Sequence, residues 1–147
     1  NTPPDNPPPT VTPRNGYYIW TDSGADNLML RLADPRTLLV DVRAEEEWRD
    51  DVNESLPLGR IPGAVSLPWT ATVRDETGRL KSPEELTAIL TGAGVTPDRR
   101  IVLYARYGVE TAQPWLVLTL MGYKDLVIYD RGWAGWATTP GAAIAPL

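Results

Sequence analysis

The sequence predicts an α/β fold: an open, mostly parallel five-stranded sheet with helices on both faces. Three observations lead there. From Gly16 onward, apolar runs alternate with helical patterns, and repeated strand–helix alternation builds a parallel sheet flanked by helices. "TLLVDV" (37–42) is a near-continuous run of leucine and β-branched residues, the mark of a strand buried on both faces. "SPEELTAILTGAG" (82–94) carries helix start and stop signals of a crossover helix: Ser82 as N-cap, Pro83 at N1, Glu85 completing a capping box, and Gly92 and Gly94 ending it.

The remaining elements follow in order. "YYIW" (17–20) is a short strand. "TDSGADNLMLRLAD" (21–34) reads as a helix capped by Thr21 or Asp22, offering Leu28, Leu30 and Leu32 to the core. After the 37–42 strand, "RAEEEWRDD" (43–51) is a short polar helix whose glutamates read as a solvated face. "GRIPGAVSLPW" (59–69) holds a turn and then a strand near Ala64 to Leu67. "RIVLYA" (100–105) is the fourth strand, followed by a helix from Gly108 to Met121 with Pro114 tolerated in its first turn. "DLVIYD" (125–130) is the fifth strand, and a short helix around "RGWAGWA" (131–137) closes the domain, with Trp133 and Trp136 as core or pocket-wall aromatics.

Length and composition bound the function. At 147 residues the chain is one domain by the usual prior and buries roughly 70% of its extended surface. A net charge of −5 argues against nucleic acid or an anionic membrane as the main partner. The chain has no histidine and no cysteine, so a zinc or haem site, a histidine general base and a disulfide framework are excluded, and no cofactor is expected. No run of 18 apolar residues offers a transmembrane span. Residues 1–15 hold six prolines in the first thirteen positions and form an expected extended leader or linker; residues 16–147 are the expected folded domain. Such a leader is expected of a mature exported protein, periplasmic or extracytoplasmic, after signal removal, with a boundary inside a longer chain as the alternative.

The stretch "IVLYARYGVETAQPW" (101–115) carries the chemistry. A strand that stops where a helix starts forms a nest of free backbone N–H groups, fit to hold an anion or a reactive sulfur. Ligands of open parallel sheets bind at the carboxyl ends of the strands, where this turn lies. Its first residue, the natural seat of a nucleophile, is Ala105, which can do no chemistry. Arg106 reads either as an anion-binding side chain or as plain solvent-exposed charge. Tyr107 is a pocket wall or a loop side chain, and Gly108 serves backbone geometry. Asp41 and Arg43, at the end of a buried strand, read as a buried or half-buried ion pair that orders the loop. Arg60 reads as a rim or turn residue, with ligand contact the alternative.

Several pieces recur together: "LLVDVR" (38–43) with Glu47 and Trp48 beyond it, "GRIPGA" (59–64), the loop with "GVETA" (108–112), "MGYKDLVIYD" (121–130) and "GWAGW" (132–136). In this order and spacing the sequence resembles the rhodanese (thiosulfate sulfurtransferase) superfamily over residues 16–140, and in particular the catalytic half of thiosulfate and 3-mercaptopyruvate sulfurtransferases. The resemblance implies the rhodanese-like version of the α/β fold. It implies a cysteine nucleophile at the position of Ala105, which would carry sulfur as a persulfide from a small anionic donor such as thiosulfate to a thiol or protein acceptor. Arg106, Tyr107, Gly108, Val109, Glu110 and Arg60 become the substrate-binding candidates. Backbone N–H groups of residues 106–110 would lower a thiol pKa from about 8.5 toward the 3.5–7.5 range, so no histidine is needed.

Departures from the pattern matter as much. Arg60 stands where the family more often has histidine, Tyr107 and Glu110 are unexpected, and Glu110 would oppose an anion if it faced the cradle. A phosphatase of this fold needs an arginine six positions after its nucleophile; that position is Thr111. Three readings of Ala105 stand: an engineered Cys→Ala replacement in a sulfurtransferase, a natural non-catalytic domain binding an anion or a protein partner at residues 105–110, and a structural module with an unused pocket. In each the chain as it stands is catalytically dead.

Overall fold

A computed structural model describes residues 17–20, 25–49, 56–73 and 79–146. The expected leader (1–15) and the expected cap at Thr21 or Asp22 lie outside the described residues. The strands are β1 (Tyr17–Trp20), β2 (Thr37–Asp41), β3 (Val65–Ser66), β4 (Arg100–Tyr104) and β5 (Leu126–Tyr129). They pair in the order β1-β5-β4-β2-β3, and every pairing is parallel. The helices are α1 (Ala25–Leu32), α2 (Glu45–Arg49), α3 (Trp69–Val73), α4 (Pro83–Gly92), α5 (Ala112–Leu120) and α6 (Gly132–Ala137). The α/β class is therefore as expected. β4 lies at the centre between β2 and β5, so whatever follows its carboxyl end sits over the middle of the sheet.

Both faces of the sheet are buried, which explains the near-continuous apolar strands. Alternate residues supply alternate faces. Leu38, Val40, Ile101, Leu103 and Leu126 join Leu90 of α4 and Leu118 of α5 in one apolar cluster. Leu39, Val102, Tyr104, Val127 and Tyr129 join Leu28 of α1 and Trp133 and Trp136 of α6 in the other. Leu30 departs from expectation: it is 73% exposed. Residues two apart on a helix point to nearly opposite sides, so a helix that buries Leu28 must show Leu30 to solvent.

Local signals explain most boundaries. The Ser82 hydroxyl accepts from the Glu85 N–H at 3.2 Å, and the Glu85 carboxylate accepts from the Ser82 N–H at 2.8 Å. Gly94 takes a φ of +76° just past the helix, the left-handed conformation that glycine adopts without penalty. The expected helix from Gly108 begins instead as a 3₁₀ turn at Gly108–Thr111 before α5. Pro114 is the third residue of α5 and buried, where its missing N–H would have had no helical partner. The sequence reading contained no α3. Apart from Ala71 its residues (WTATV) are weak helix formers, and contacts from elsewhere hold it, including the Lys81 ammonium 2.8 Å from the Ala71 carbonyl.

Candidate functional site

The site is built where β4 ends. Asp41 of β2 and Tyr104 of β4 are register partners, so the last residues of two central strands lie side by side. Both side chains are fully buried. The Tyr104 hydroxyl donates to the Asp41 carboxylate at 2.7 Å and accepts from the Ile61 N–H at 3.2 Å. Arg43 is buried against the same carboxylate, with Nη2 2.7 Å and Nε 3.0 Å from its oxygens, and Nη2 also donates to the Gly59 carbonyl at 2.9 Å. Its guanidinium carbon lies 4.9 Å from the Trp133 ring centre, within cation–π range. Asp41 and Arg43 therefore form a buried ion pair that ties β2, β4, the 59–61 turn and α6 together. Burial alone would lower the Arg43 pKa, but the hydrogen bonds and charge of Asp41 raise it overall. Burial, followed by the charge of Asp41, raises the pKa of the Tyr104 phenol.

Ala105 follows directly, 1% exposed and packed into the apolar cluster of Leu38 and Leu103. The first helical N–H groups of α6 hold the backbone here: Trp133 N–H donates to the Ala105 carbonyl at 2.7 Å and Ala134 N–H to the Arg106 carbonyl at 3.1 Å. This approach requires glycine at 132. Its φ is +58°, and a Cβ there would lie 2.6 Å from both carbonyl oxygens. Gly108 is similarly confined, since a Cβ would sit 2.0 Å from an Asp130 carboxylate oxygen and 3.0 Å from the Asp130 carbonyl. The Tyr107 N–H donates to the Glu110 carboxylate at 3.1 Å, and the Thr111 hydroxyl donates to the Gly108 carbonyl.

Arg106 is not the plain solvent-exposed charge that was one expectation for it. It is 6% exposed, and its Nε lies 3.1 Å from a Glu47 carboxylate oxygen. Glu47 in turn is not part of a solvated face. Its other oxygen accepts from the Ala44 N–H at 3.3 Å, so one carboxylate joins the start of α2 to the loop after β4. The half-buried Arg60 uses its main chain to make an antiparallel bridge with Ala145, at 3.1 and 3.0 Å. Tyr107 and Val109 point outward, 52% and 77% exposed.

The structure thus gathers Asp41, Arg43, Ala105 and Arg106 at the carboxyl edge of the sheet. Glu47, Tyr104 and Asp130 belong to the same neighbourhood and were not singled out as site residues from the sequence. Tyr104 had a signal in the strand period, which places it on the face of Val102. The contact of Glu47 with Arg106 spans 59 positions, and nothing in the local pattern of either residue announces it.

A parallel sheet with helices on both faces, a β4 loop over its centre and α6 docked on that loop define an α/β domain with one candidate site at the strand ends. The Rhodanese-like domain family model matches residues 24–139, and the chain belongs to that family. It is 34% identical over 126 residues to the sulfur carrier protein TtuD of Thermus thermophilus, covering 80% of this chain and 44% of the relative. It is 33% identical over 112 residues to the 3-mercaptopyruvate sulfurtransferase of Escherichia coli K12, covering 74% of this chain and 39% of the relative. The chain thus spans less than half the length of either relative. Among solved structures, wild-type EanB superposes with a TM-score of 0.75 at 23% identity, covering 88% of this chain and 31% of that one. An anaerobic ergothioneine biosynthesis enzyme from Chlorobium limicola does so with the same score and identity, over 88% and 32%. At that identity these two speak for the fold alone.

Proposed function

We propose that this chain is a sulfurtransferase-type domain silenced at one atom, with Ala105 at the position of the sulfur-carrying cysteine. The observation that carries the reading is the placement of residue 105. It directly follows the central strand, is shielded from water, and has its carbonyl held by α6. A thiolate there would attack the outer sulfur of a thiosulfate-like donor. One S–S bond forms to the cysteine, the donor's S–S bond breaks, and sulfite leaves with the bonding electron pair. A thiophilic acceptor then takes the terminal sulfur and the thiolate returns. No other residue can stand in, because the chain contains no cysteine.

The test is Ala105→Cys. After incubation with thiosulfate or 3-mercaptopyruvate, intact-protein mass spectrometry is expected to show gain of one sulfur atom in the cysteine form and none in the parent. Absence of sulfur on the cysteine form with both donors would sink the proposal. A second reading, a non-catalytic module that binds a ligand or partner at residues 105–110, is favoured by one observation. The groups that should attract an anion already meet carboxylates of the same chain, Arg106 with Glu47 and the Tyr107 N–H with Glu110.

A further inference from the structure

We propose that Glu110 is an internal occupant of the loop, a carboxylate that takes a backbone donor an anionic ligand would need and thereby sets the ligand specificity of the site. This deepens the functional reading above and rests on the 105–110 loop being the ligand site.

The argument starts from charge. A nest of N–H groups attracts anions because its donors are unfilled by the chain itself. Here the Tyr107 N–H is filled, 3.1 Å from the Glu110 carboxylate three residues on. A charged acceptor on a backbone N–H makes a hydrogen bond roughly twice as strong as a neutral one. A dianion such as thiosulfate must therefore displace a bonded carboxylate and also approach its negative charge. Two further carboxylates act in the same sense. Asp130 stands against Gly108, close enough that no side chain fits between them, and Glu47 compensates Arg106, the one basic side chain within the 105–110 loop. The loop keeps the backbone path that docks it on α6, while its attraction for anions is met from within. Two backbone carbonyls already fix that path through α6, so loss of the Glu110 side chain leaves the turn anchored.

The experiment reads the Tyr107 backbone amide by ¹H–¹⁵N NMR while thiosulfate is added, with Ala105 left in place so that no sulfur chemistry intervenes. In Glu110→Ala the amide is expected to move saturably, with binding at least roughly tenfold tighter than in the parent. Glu110→Gln, which keeps an acceptor and loses the charge, is expected to fall between them. If the alanine form does not fold, the glutamine form carries the test, and titration no tighter than the parent's overturns the proposal. Equal titration of the parent and Glu110→Ala overturns it too. In the cysteine background, faster sulfur uptake by Ala105→Cys/Glu110→Ala than by Ala105→Cys alone supports it, and equal rates overturn it while the sulfurtransferase reading stands. Saturable movement in Glu110→Ala beside no sulfur uptake by either cysteine form overturns sulfur transfer and leaves the role of Glu110 in place.

Discussion

Asp41 and Arg43 show what a single charge does when water is absent. The pair is sealed, and the carboxylate serves Arg43 and Tyr104 at once. Removing one member of a buried pair leaves the other uncompensated, at a cost of about 3–5 kcal/mol, whereas replacing both with apolar residues of similar size is often near neutral. Asp41→Asn is therefore expected to lower the unfolding free energy in urea by about that amount, and Asp41→Leu/Arg43→Met by distinctly less. If the double variant is at least as damaged as the single, the pair is worth more than its compensation and the argument fails. At this scale the sequence showed which residues were charged near a strand end, but not which would meet. Asp41 and Arg43 are two apart and adjacent by local geometry. The Glu47–Arg106 contact depends on where α2 lands against a loop from another strand, and the Glu110–Tyr107 contact depends on a 3₁₀ turn where a regular helix was expected. Glu47→Gln removes the charge partner of Arg106, and its expected effect is weaker protection of the Arg106 Nε proton, read by NMR at low temperature.

Among the elements, α6 bears most directly on the site, because its first N–H groups fix the backbone at Ala105 and Arg106. Gly132→Ala places a Cβ against two carbonyl oxygens at an unfavourable φ. Misfit of that kind costs typically 1–3 kcal/mol, more where backbone has to move, so a fall of at least about 2 kcal/mol in stability is expected by denaturant titration. A fall below 0.5 kcal/mol would show that α6 is not docked as described. For α4, Ser82→Ala removes one half of the capping box and is expected to cost about 1 kcal/mol. These two cases mark what was legible. α4 announced itself because both of its ends are written in local chemistry. The buried strands did so because two apolar faces leave no other pattern. By contrast α3 has weak propensity and is held by Lys81 from beyond its own end, information that lies outside any short window. The close approach of α6 was visible only as a glycine before a tryptophan, a pattern that does not say what the glycine touches.

Across the whole molecule, the buried phenols set a limit on the alkaline side. Burial raises the pKa of Tyr104, Tyr123 and Tyr129 above the ordinary 10.0, and the charge of Asp41 raises Tyr104 further. Above pH 10 the unfolded chain loses phenolic protons that the folded chain keeps. The folded state then binds more protons, and stability falls as pH rises. Tyr104, sealed beside a carboxylate, contributes up to about 1.4 kcal/mol per pH unit once its unfolded phenol has ionised. Lysine contributes little in that window, since among 14 basic residues only Lys81 and Lys124 are lysines and the arginines stay charged. The expected outcome is a urea midpoint that falls steeply above pH 10 in the parent and less steeply in Tyr104→Phe. The phenylalanine form should also be weaker near pH 8, where Asp41 has lost a donor and the Ile61 N–H an acceptor. Identical alkaline slopes in the two proteins would place the alkaline sensitivity elsewhere and remove Tyr104 from the account. A shallower slope with a lower plateau would mean that one phenol both joins the central strands beneath the site and sets the pH at which they part.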